Sequence, residues 1–109
     1  MKKLSLIIIL ALCSIALFAQ NVDWLWVKQA GGTSVDIGNS IAVDANGNSY
    51  VTGCFYYSAI FGTTTLTSSG GFDIFVAKLD SSGNWLWAKK AGGIDFACGY
   101  SIAVDANGN

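Results

Sequence analysis

The sequence predicts an all-β protein built from a repeated antiparallel unit, and three observations support this class. Residues 24–48 and 85–109 agree at 17 of 25 positions when they are aligned at an offset of 61 residues. After residue 19, the apolar segments are short and are separated by Gly, Asn, Asp or Ser. None of these segments shows a helical period. Internal repeats of this kind are typical of arrays in which each unit buries its apolar faces against its neighbours.

Residues 1–19 have the composition of a secretory signal peptide. Two lysines follow Met1, and residues 4–18 form an apolar run that only two serines interrupt. This run is too short to cross a bilayer comfortably as a helix, and small residues follow it where a peptidase would cut. A cut after Ala19 is favoured over a cut after Ala16. We therefore expect a signal helix over 1–19, a repeat region over 20–109, and a secreted or cell-surface protein.

Alternation of side chains in residues 24–28 predicts the first strand of the repeat region. One interpretation of its Trp-Leu-Trp run at 24–26 is a sugar-stacking platform. The same run recurs at 85–87, which favours a packing role in each unit. Two glycines end this strand, and residues 33–39 are predicted to form a polar loop.

A tight hairpin follows that loop. Residues 40–44 and 49–55 alternate as strands, and the Asn46-Gly47 step between them supplies residues that tolerate positive φ. Asp44 is predicted to cap the turn by accepting hydrogen bonds from the backbone amides that follow it.

The second half of the unit returns the chain to its starting motif. Residues 56–66 are less regular, and they predict either a further hairpin or one bent strand. Residues 74–79 are apolar on both sides, as expected of a sheet packed between two others. A turn at 80–84 has the same chemistry as the turn at 44–48, and it leads into the second copy.

The charged residues exclude several classes of function. Without residues 1–19 the chain has four lysines and seven aspartates, a net charge of −3. It contains no histidine, glutamate or arginine, so His-dependent triads, His-containing zinc sites and arginine clamps are excluded. The only basic cluster, Lys89-Lys90, is interpreted as solvated strand-end charge, and nucleic-acid binding is not expected. No catalytic or cofactor-binding residue is predicted.

The best remaining candidate for a ligand site is an Asp-x-Asn-x-Asn motif. It occurs at residues 44–48 and again at 105–109, and it resembles the start of a calcium loop. An EF-hand loop needs glycine at its sixth position and glutamate at its twelfth, where this chain has Ser49 and Phe55. The sequence therefore favours a plain hairpin turn, and no metal site is predicted.

Two cysteines remain after the signal peptide, Cys54 and Cys98. A disulfide is allowed in an exported chain. However, Cys98 takes the position that Ile37 has in the first copy. We therefore predict two buried small apolar residues rather than a disulfide.

Four segments together resemble the SBBP repeat, a bacterial β-propeller repeat. They are Asp-Ala-Asn-Gly-Asn-Ser-Tyr-Val-Thr-Gly at 44–53, Gly-Phe-Asp-Ile-Phe-Val-Ala-Lys-Leu-Asp at 71–80, Gly-Asn-Trp-Leu-Trp at 83–87 and Ala-Gly-Gly at 91–93. The resemblance implies four-stranded antiparallel blades arranged round an axis, in secreted or surface proteins of bacteria. It brings no catalytic residue to this chain.

The function predicted from these observations is that of a non-enzymatic structural or interaction module. Its expected partners are neighbouring propeller blades and a protein or glycan ligand, with no membrane span after signal cleavage. The alternatives are a segment of a larger exported glycan-acting hydrolase and a calcium-stabilised adhesin. Because the chain holds one complete period and part of the next, we expect a fragment broken in the turn at 107–109. Assembly of several short chains into a ring is the alternative.

Overall fold

A computed structural model describes residues 23–109 of the chain. The predicted signal peptide and its helix lie outside the described residues. The described part contains seven strands: β1 (Ala30–Gly31), β2 (Asp36–Val43), β3 (Ser49–Phe55), β4 (Ser58–Phe61), β5 (Thr64–Thr67), β6 (Asp73–Leu79) and β7 (Trp85–Ala91). None of the described segments forms a helix long and apolar enough to cross a bilayer.

Four of these strands form one antiparallel sheet in the order β2-β3-β6-β7. Tight turns join β2 to β3 and β6 to β7, as the sequence predicts, whereas a long connection joins β3 to β6. The all-β class and the four-stranded antiparallel blade are confirmed. Each of the two predicted hairpins is local in sequence, which explains why the observed bounds of β3 equal the predicted ones.

The long connection contains the hairpin β4–β5, so the bent-strand alternative for residues 56–66 is wrong. Gly62 takes a φ of +61° between the two strands, a conformation that glycine adopts without steric cost. Strand β1 pairs with β4, and the result is a second, three-stranded sheet in the order β1-β4-β5. This smaller sheet packs on the blade through Phe61, whose ring centroid lies 5.0 Å from that of Phe75 and 5.3 Å from that of Trp85.

The register of the blade defines two faces. We call face A the side that carries Ile41, Val51 and Ala77, which are directly opposite one another on successive strands. We call face B the side that carries Ser40, Thr52 and Val76. The buried core lies between face A and the smaller sheet, and its members are Phe55, Ala59, Phe61, Phe75, Ala77 and Ala88.

The predicted polar loop at 33–39 is partly wrong, because β2 already begins at Asp36. Asp36 pairs with Phe55 and Ile37 pairs with Cys54, so the edge of β3 draws these residues into the sheet. The register shifts between Gly38 and Ser40, which places a bulge at Asn39. A bulge of this kind redirects the side chain of the extra residue. The pairing of β2 with β3 thus outweighs the preference of the polar residues 36–39 for a loop.

The predicted strand at 24–28 is absent, although its copy at 85–91 forms β7. The two copies differ in whether a partner strand is present. Strand β7 pairs with β6, and the given sequence contains one copy of β6. A strand depends on the hydrogen bonds of a neighbour, so the same residues without such a neighbour do not form one.

The prediction that Cys54 and Cys98 are unpaired is wrong. The two residues form a disulfide, with their Cα atoms 4.7 Å apart. Ile37, which has the position of Cys98 in the first copy, lies opposite Cys54 within the blade. Cys98 belongs to the second copy, and it bonds to the side chain of Cys54 on face B. The bond joins two successive units, so the position that Cys98 has within its own unit does not reveal it.

Candidate interaction site

Strands β2 and β6 finish at the same end of the blade, and each is followed by a turn built on aspartate. The carboxylate of Asp44 accepts hydrogen bonds from the backbone amides of Asn46 at 2.9 Å and Asn48 at 3.0 Å, and from the Asn48 side chain at 2.9 Å. Asp80 and Asp105 make the same three kinds of bond. The predicted capping role of Asp44 is confirmed.

These hydrogen bonds also set the electrostatics of the turns. The Asn48 side chain lowers the pKa of Asp44, and desolvation partly opposes this effect. Backbone hydrogen bonds from Asn84 and Asn109 likewise lower the pKa values of Asp80 and Asp105. The turns therefore hold their carboxylates in the ionised form, as hydrogen-bond acceptors.

The surroundings of Asp44 fit a hairpin turn better than a calcium loop. Both oxygens of its carboxylate already accept hydrogen bonds, one of them from the Tyr50 hydroxyl at 3.2 Å. Calcium needs six to eight oxygen ligands, whereas the groups that contact this carboxylate are N–H and O–H hydrogen-bond donors. Among residues 23–109, no three His, Cys, Asp or Glu side chains lie close enough together to hold a metal.

Lys90 is exposed at the end of a strand, as the sequence predicts, but its ammonium group has a partner. Its ammonium group lies 3.2 Å from the carboxylate of Asp73 and 2.7 Å from the hydroxyl of Ser69. Asp73 is fully buried. This ion pair therefore compensates a charge inside the blade, and Lys90 has a structural role.

Face A has an open apolar groove of about 310 Å³. Its lining includes Trp26, Ile41, Val51, Phe75, Leu79 and Trp85. Ile41 is 62% exposed and Val43 is 59% exposed, which is unusual for two aliphatic residues of one strand that lie beside the core. Exposed apolar patches of this kind mark interaction surfaces.

The first copy of the tryptophan motif covers part of face A. The indole nitrogen of Trp26 donates a hydrogen bond to the carbonyl oxygen of Ser81 at 3.0 Å. Its ring lies so close to Gly83 that an added Cβ would be 2.6 Å from it. Residues 24–30 are the copy of β7, so the equivalent of the last strand of one unit lies on face A of the next.

The second copy covers part of face B. The amide of Gly99 donates to the carbonyl of Gly53 at 3.2 Å, and the amide of Ile102 donates to the hydroxyl of Ser40 at 3.3 Å. Asn39, at the bulge of β2, donates to the carbonyl of Gly99 at 2.8 Å. Together with the disulfide, these bonds hold residues 96–109 on the blade.

The repeat explains why Ile41 and Val43 are exposed. Ile102 and Val104 occupy the same positions in the second copy, where they are half-buried above face B of the first unit. The segment that carries these two residues in the second copy therefore lies against face B of the first unit. Ile41 and Val43 have no such neighbour among the described residues.

The tryptophans have different environments in the two copies. Trp85 packs edge-on against Phe61, and Trp87 packs edge-on against Tyr50 at 6.3 Å. In the second copy, the predicted packing role is thus confirmed. Trp24 in contrast is 89% exposed. The sequence does not reveal the exposure of Ile41 and Val43, because their alternation is that of any half-buried strand.

Comparison with known proteins agrees with this arrangement of blade and neighbouring strands. A profile of the SBBP family, described as a β-propeller repeat, matches residues 25–53. The chain is also similar to an uncharacterised WD repeat-containing protein of Acanthamoeba polyphaga mimivirus, with 33% identity in an alignment of 91 residues. That alignment covers 76% of this chain, and the chain spans 6% of the length of the viral protein. Residues 25–53 of the chain thus match the β-propeller repeat of the SBBP family.

Proposed function

We propose that the chain is a segment of a secreted or cell-surface β-propeller that acts without catalysis, as a structural or interaction module. The observation that carries this proposal is the position of Ile102 and Val104 on face B, while their copies on face A are exposed. A unit with one filled and one open face is suited to binding further units. Face-to-face stacking of repeats then forms the surface that meets a protein or glycan ligand.

The aspartates support a non-catalytic role. Asp44, Asp80 and Asp105 each accept several hydrogen bonds within their own turns. Asp73 is paired with Lys90, and Asp36 accepts a hydrogen bond from the amide of Gly32 at 2.8 Å. General acid or base catalysis needs a carboxylate within reach of a substrate proton, whereas these five are engaged in holding the fold.

Two features support the extracellular location. The composition of residues 1–19 is that of a signal peptide. In addition, a disulfide joins the blade to the second copy, and such bonds persist mainly in oxidising compartments. Expression of residues 1–109 and of residues 20–109, each followed by cell fractionation, tests this part of the proposal. Export of the longer chain alone is the expected result, and equal retention of both inside the cell would refute it.

The stacking interaction can be tested with a pair of double variants, because residues 40–48 and 101–109 have the same sequence. In the first, Ile102→Lys is combined with Val104→Lys. We expect faster hydrogen exchange at the Gly99 amide, because charge at these positions weakens the contact with face B. In the control, Ile41→Lys is combined with Val43→Lys on the open face, and exchange at Gly99 should not change.

Hydrogen exchange measured by NMR on the oxidised chain distinguishes the outcomes. Equal effects of the two double variants would show that position in the array does not matter, and the stacking role would be wrong. No effect of either variant would lead to the same conclusion.

A further inference from the structure

Four aromatic rings form a row at the end of the blade opposite the Asp44 and Asp80 turns. We call this set the aromatic row, and its members in order are Tyr57, Tyr56, Phe72 and Phe96. The centroids of neighbouring rings lie 4.2, 5.3 and 5.4 Å apart. Tyr56 and Tyr57 follow β3, and Phe72 precedes β6. The ring of Tyr57, at one end of the row, is 62% exposed. The row therefore presents an exposed ring outside the strands of the blade.

The backbone conformation of Tyr57 brings the first two rings together. Among residues 23–109, Tyr57 is the one residue other than glycine with a positive φ, +65°. A bulky side chain rarely adopts this conformation. Adjacent side chains of an extended segment point to opposite sides, whereas the ring of Tyr57 lies against that of Tyr56. The unfavourable backbone conformation is thus linked to the position of an exposed ring.

Ser68 holds Tyr57 in this conformation through two hydrogen bonds. The amide of Tyr57 donates to the hydroxyl of Ser68 at 3.0 Å, and the amide of Ser68 donates to the carbonyl of Tyr57 at 2.7 Å. Residues held in sparsely populated backbone conformations cluster at functional sites, ligand-binding sites among them. A residue that is fixed before its ligand arrives loses little conformational entropy on binding. Tyr57 therefore has the properties of a preorganised contact residue.

We propose that the aromatic row is a binding site for a polysaccharide, in which the exposed ring of Tyr57 stacks on the apolar face of a pyranose. A tyrosine combines an apolar ring with a polar tip, and a pyranose combines an apolar face with a hydroxylated edge. This proposal rests on the extracellular interaction role proposed above, and it names the class of ligand. It does not depend on the stacking of units.

The surroundings of Tyr57 favour a saccharide over a peptide. Hydroxyl side chains lie next to it along the chain and in the β4–β5 register, at Ser58, Thr67, Ser68 and Ser69. A hydroxyl group both donates and accepts hydrogen bonds, as the hydroxyls of a sugar do. A proline-rich peptide docks in a groove lined by aromatic rings, whereas the rings of Tyr57, Tyr56 and Phe72 are already in contact with one another. The row thus offers a ring surface and no slot between rings.

Binding of cellohexaose to the oxidised chain tests the proposal. This probe is a chain of pyranose rings whose hydroxyls are equatorial, so that the faces of each ring are apolar. An NMR titration follows the backbone amide signals of the protein. We expect shifts at Tyr57 and Ser68, with a Kd of about 1 mM or lower. Decaproline is the probe for a peptide ligand, and it should not bind.

Tyr57→Gly separates a binding role from a structural one. Glycine adopts a positive φ without steric cost, so this variant should be at least as stable toward urea as the unchanged chain. It lacks the ring, so cellohexaose should bind about tenfold more weakly. Tyr57→Phe keeps the ring and should retain most of the binding. Trp24→Ala is the control, because Trp24 is 89% exposed and belongs to the run that was considered as a sugar-stacking platform. It should bind as the unchanged chain does.

Several results would overturn the proposal. They are the absence of binding at millimolar cellohexaose, equal binding to Tyr57→Gly, loss of binding in Trp24→Ala, and binding of decaproline in place of the saccharide. The double variant of Ile102 and Val104 should keep its affinity for cellohexaose. Absence of saccharide binding, together with the expected exchange at Gly99, would refute the saccharide site and leave the stacking role. Saccharide binding with unchanged exchange at Gly99 in that double variant would refute the stacking role and support the saccharide site.

Discussion

Cys54 and Cys98 form a covalent bond between two successive units of the repeat. Cys54 lies in β3 of the first unit, and Cys98 lies in the segment that corresponds to β2 of the next. Their sequence separation is 44 residues. The bond therefore closes a long loop and, with the hydrogen bonds of Gly99 and Ile102, fixes the second copy against face B.

Replacement of Cys98 by isoleucine, the residue at this position in the first copy, should destabilise the protein. In the chain-entropy description, a loop of this length contributes roughly 4 kcal/mol, and measured values are commonly about 2 to 4 kcal/mol. Urea unfolding of the oxidised chain and of Cys98→Ile measures the difference. A reducing agent should lower the stability of the unchanged chain and leave the variant as it is. Equal stability of both oxidised proteins would contradict the structural role of the bond.

Stability should fall in acid because of the three aspartate turns. The pKa values of Asp44, Asp80 and Asp105 are lowered in the folded chain by hydrogen bonds from the asparagine that ends each turn, among other donors. A lowered pKa in the folded state means that the ionised form favours folding. The contribution is complete above the pKa of the unfolded chain, near pH 4, and it is lost as the pH falls through the folded pKa.

Urea unfolding between pH 7 and pH 2 measures this dependence. The free energy of unfolding should be nearly constant near neutral pH and should decrease below about pH 4. Asp44→Asn should reduce the size of the decrease, since one of the three titrating groups is then absent. A free energy that does not change over this range would show that the turns do not depend on ionised carboxylates.

The sequence predicts the parts of the fold that depend on local contacts. β3 and the Asp44 turn follow from alternation and from an Asn-Gly step, because hairpin partners are adjacent in the chain. Where the structure depends on a partner strand, prediction from local sequence fails. Residues 24–28 have the sequence of β7 but no partner strand among residues 23–109, and Asp36 enters β2 through its pairing with Phe55. The exposure of Ile41 and Val43 becomes apparent only when two copies are compared in space.

Gly53 and Gly38 are opposite each other in the β2–β3 ladder, and they provide a matched pair of substitutions. A Cβ added at Gly53 would lie 1.8 Å from the carbonyl oxygen of Ile37, whereas nothing lies within 4 Å of a Cβ added at Gly38. Gly53→Ala should therefore cost about 2 kcal/mol or more, because the backbone of β2 must move. Gly38→Ala should have an effect below about 0.5 kcal/mol. Thermal unfolding measures both, and similar effects would show that β2 moves away from Gly53 easily.

Lys89 and Lys90 are adjacent in β7, and only Lys90 lies near a buried charge. Its ammonium group is the cation paired with Asp73, and the other oxygen of that carboxylate has no hydrogen-bond partner in the described structure. Lys90→Met keeps the unbranched apolar stem of the side chain and removes this compensation, so it should destabilise the chain by about 1 to 3 kcal/mol. Lys89→Met should be nearly neutral, because exposed charges contribute little.

Urea unfolding at neutral pH compares the two lysine variants. If both variants lose the same stability, the effect comes from net charge and not from the contact with Asp73. The double variant Lys90→Met with Asp73→Asn provides a further check, since removal of both charges leaves no uncompensated carboxylate inside the blade. It should be more stable than Lys90→Met alone, and the opposite order would show that Asp73 does not need a cation.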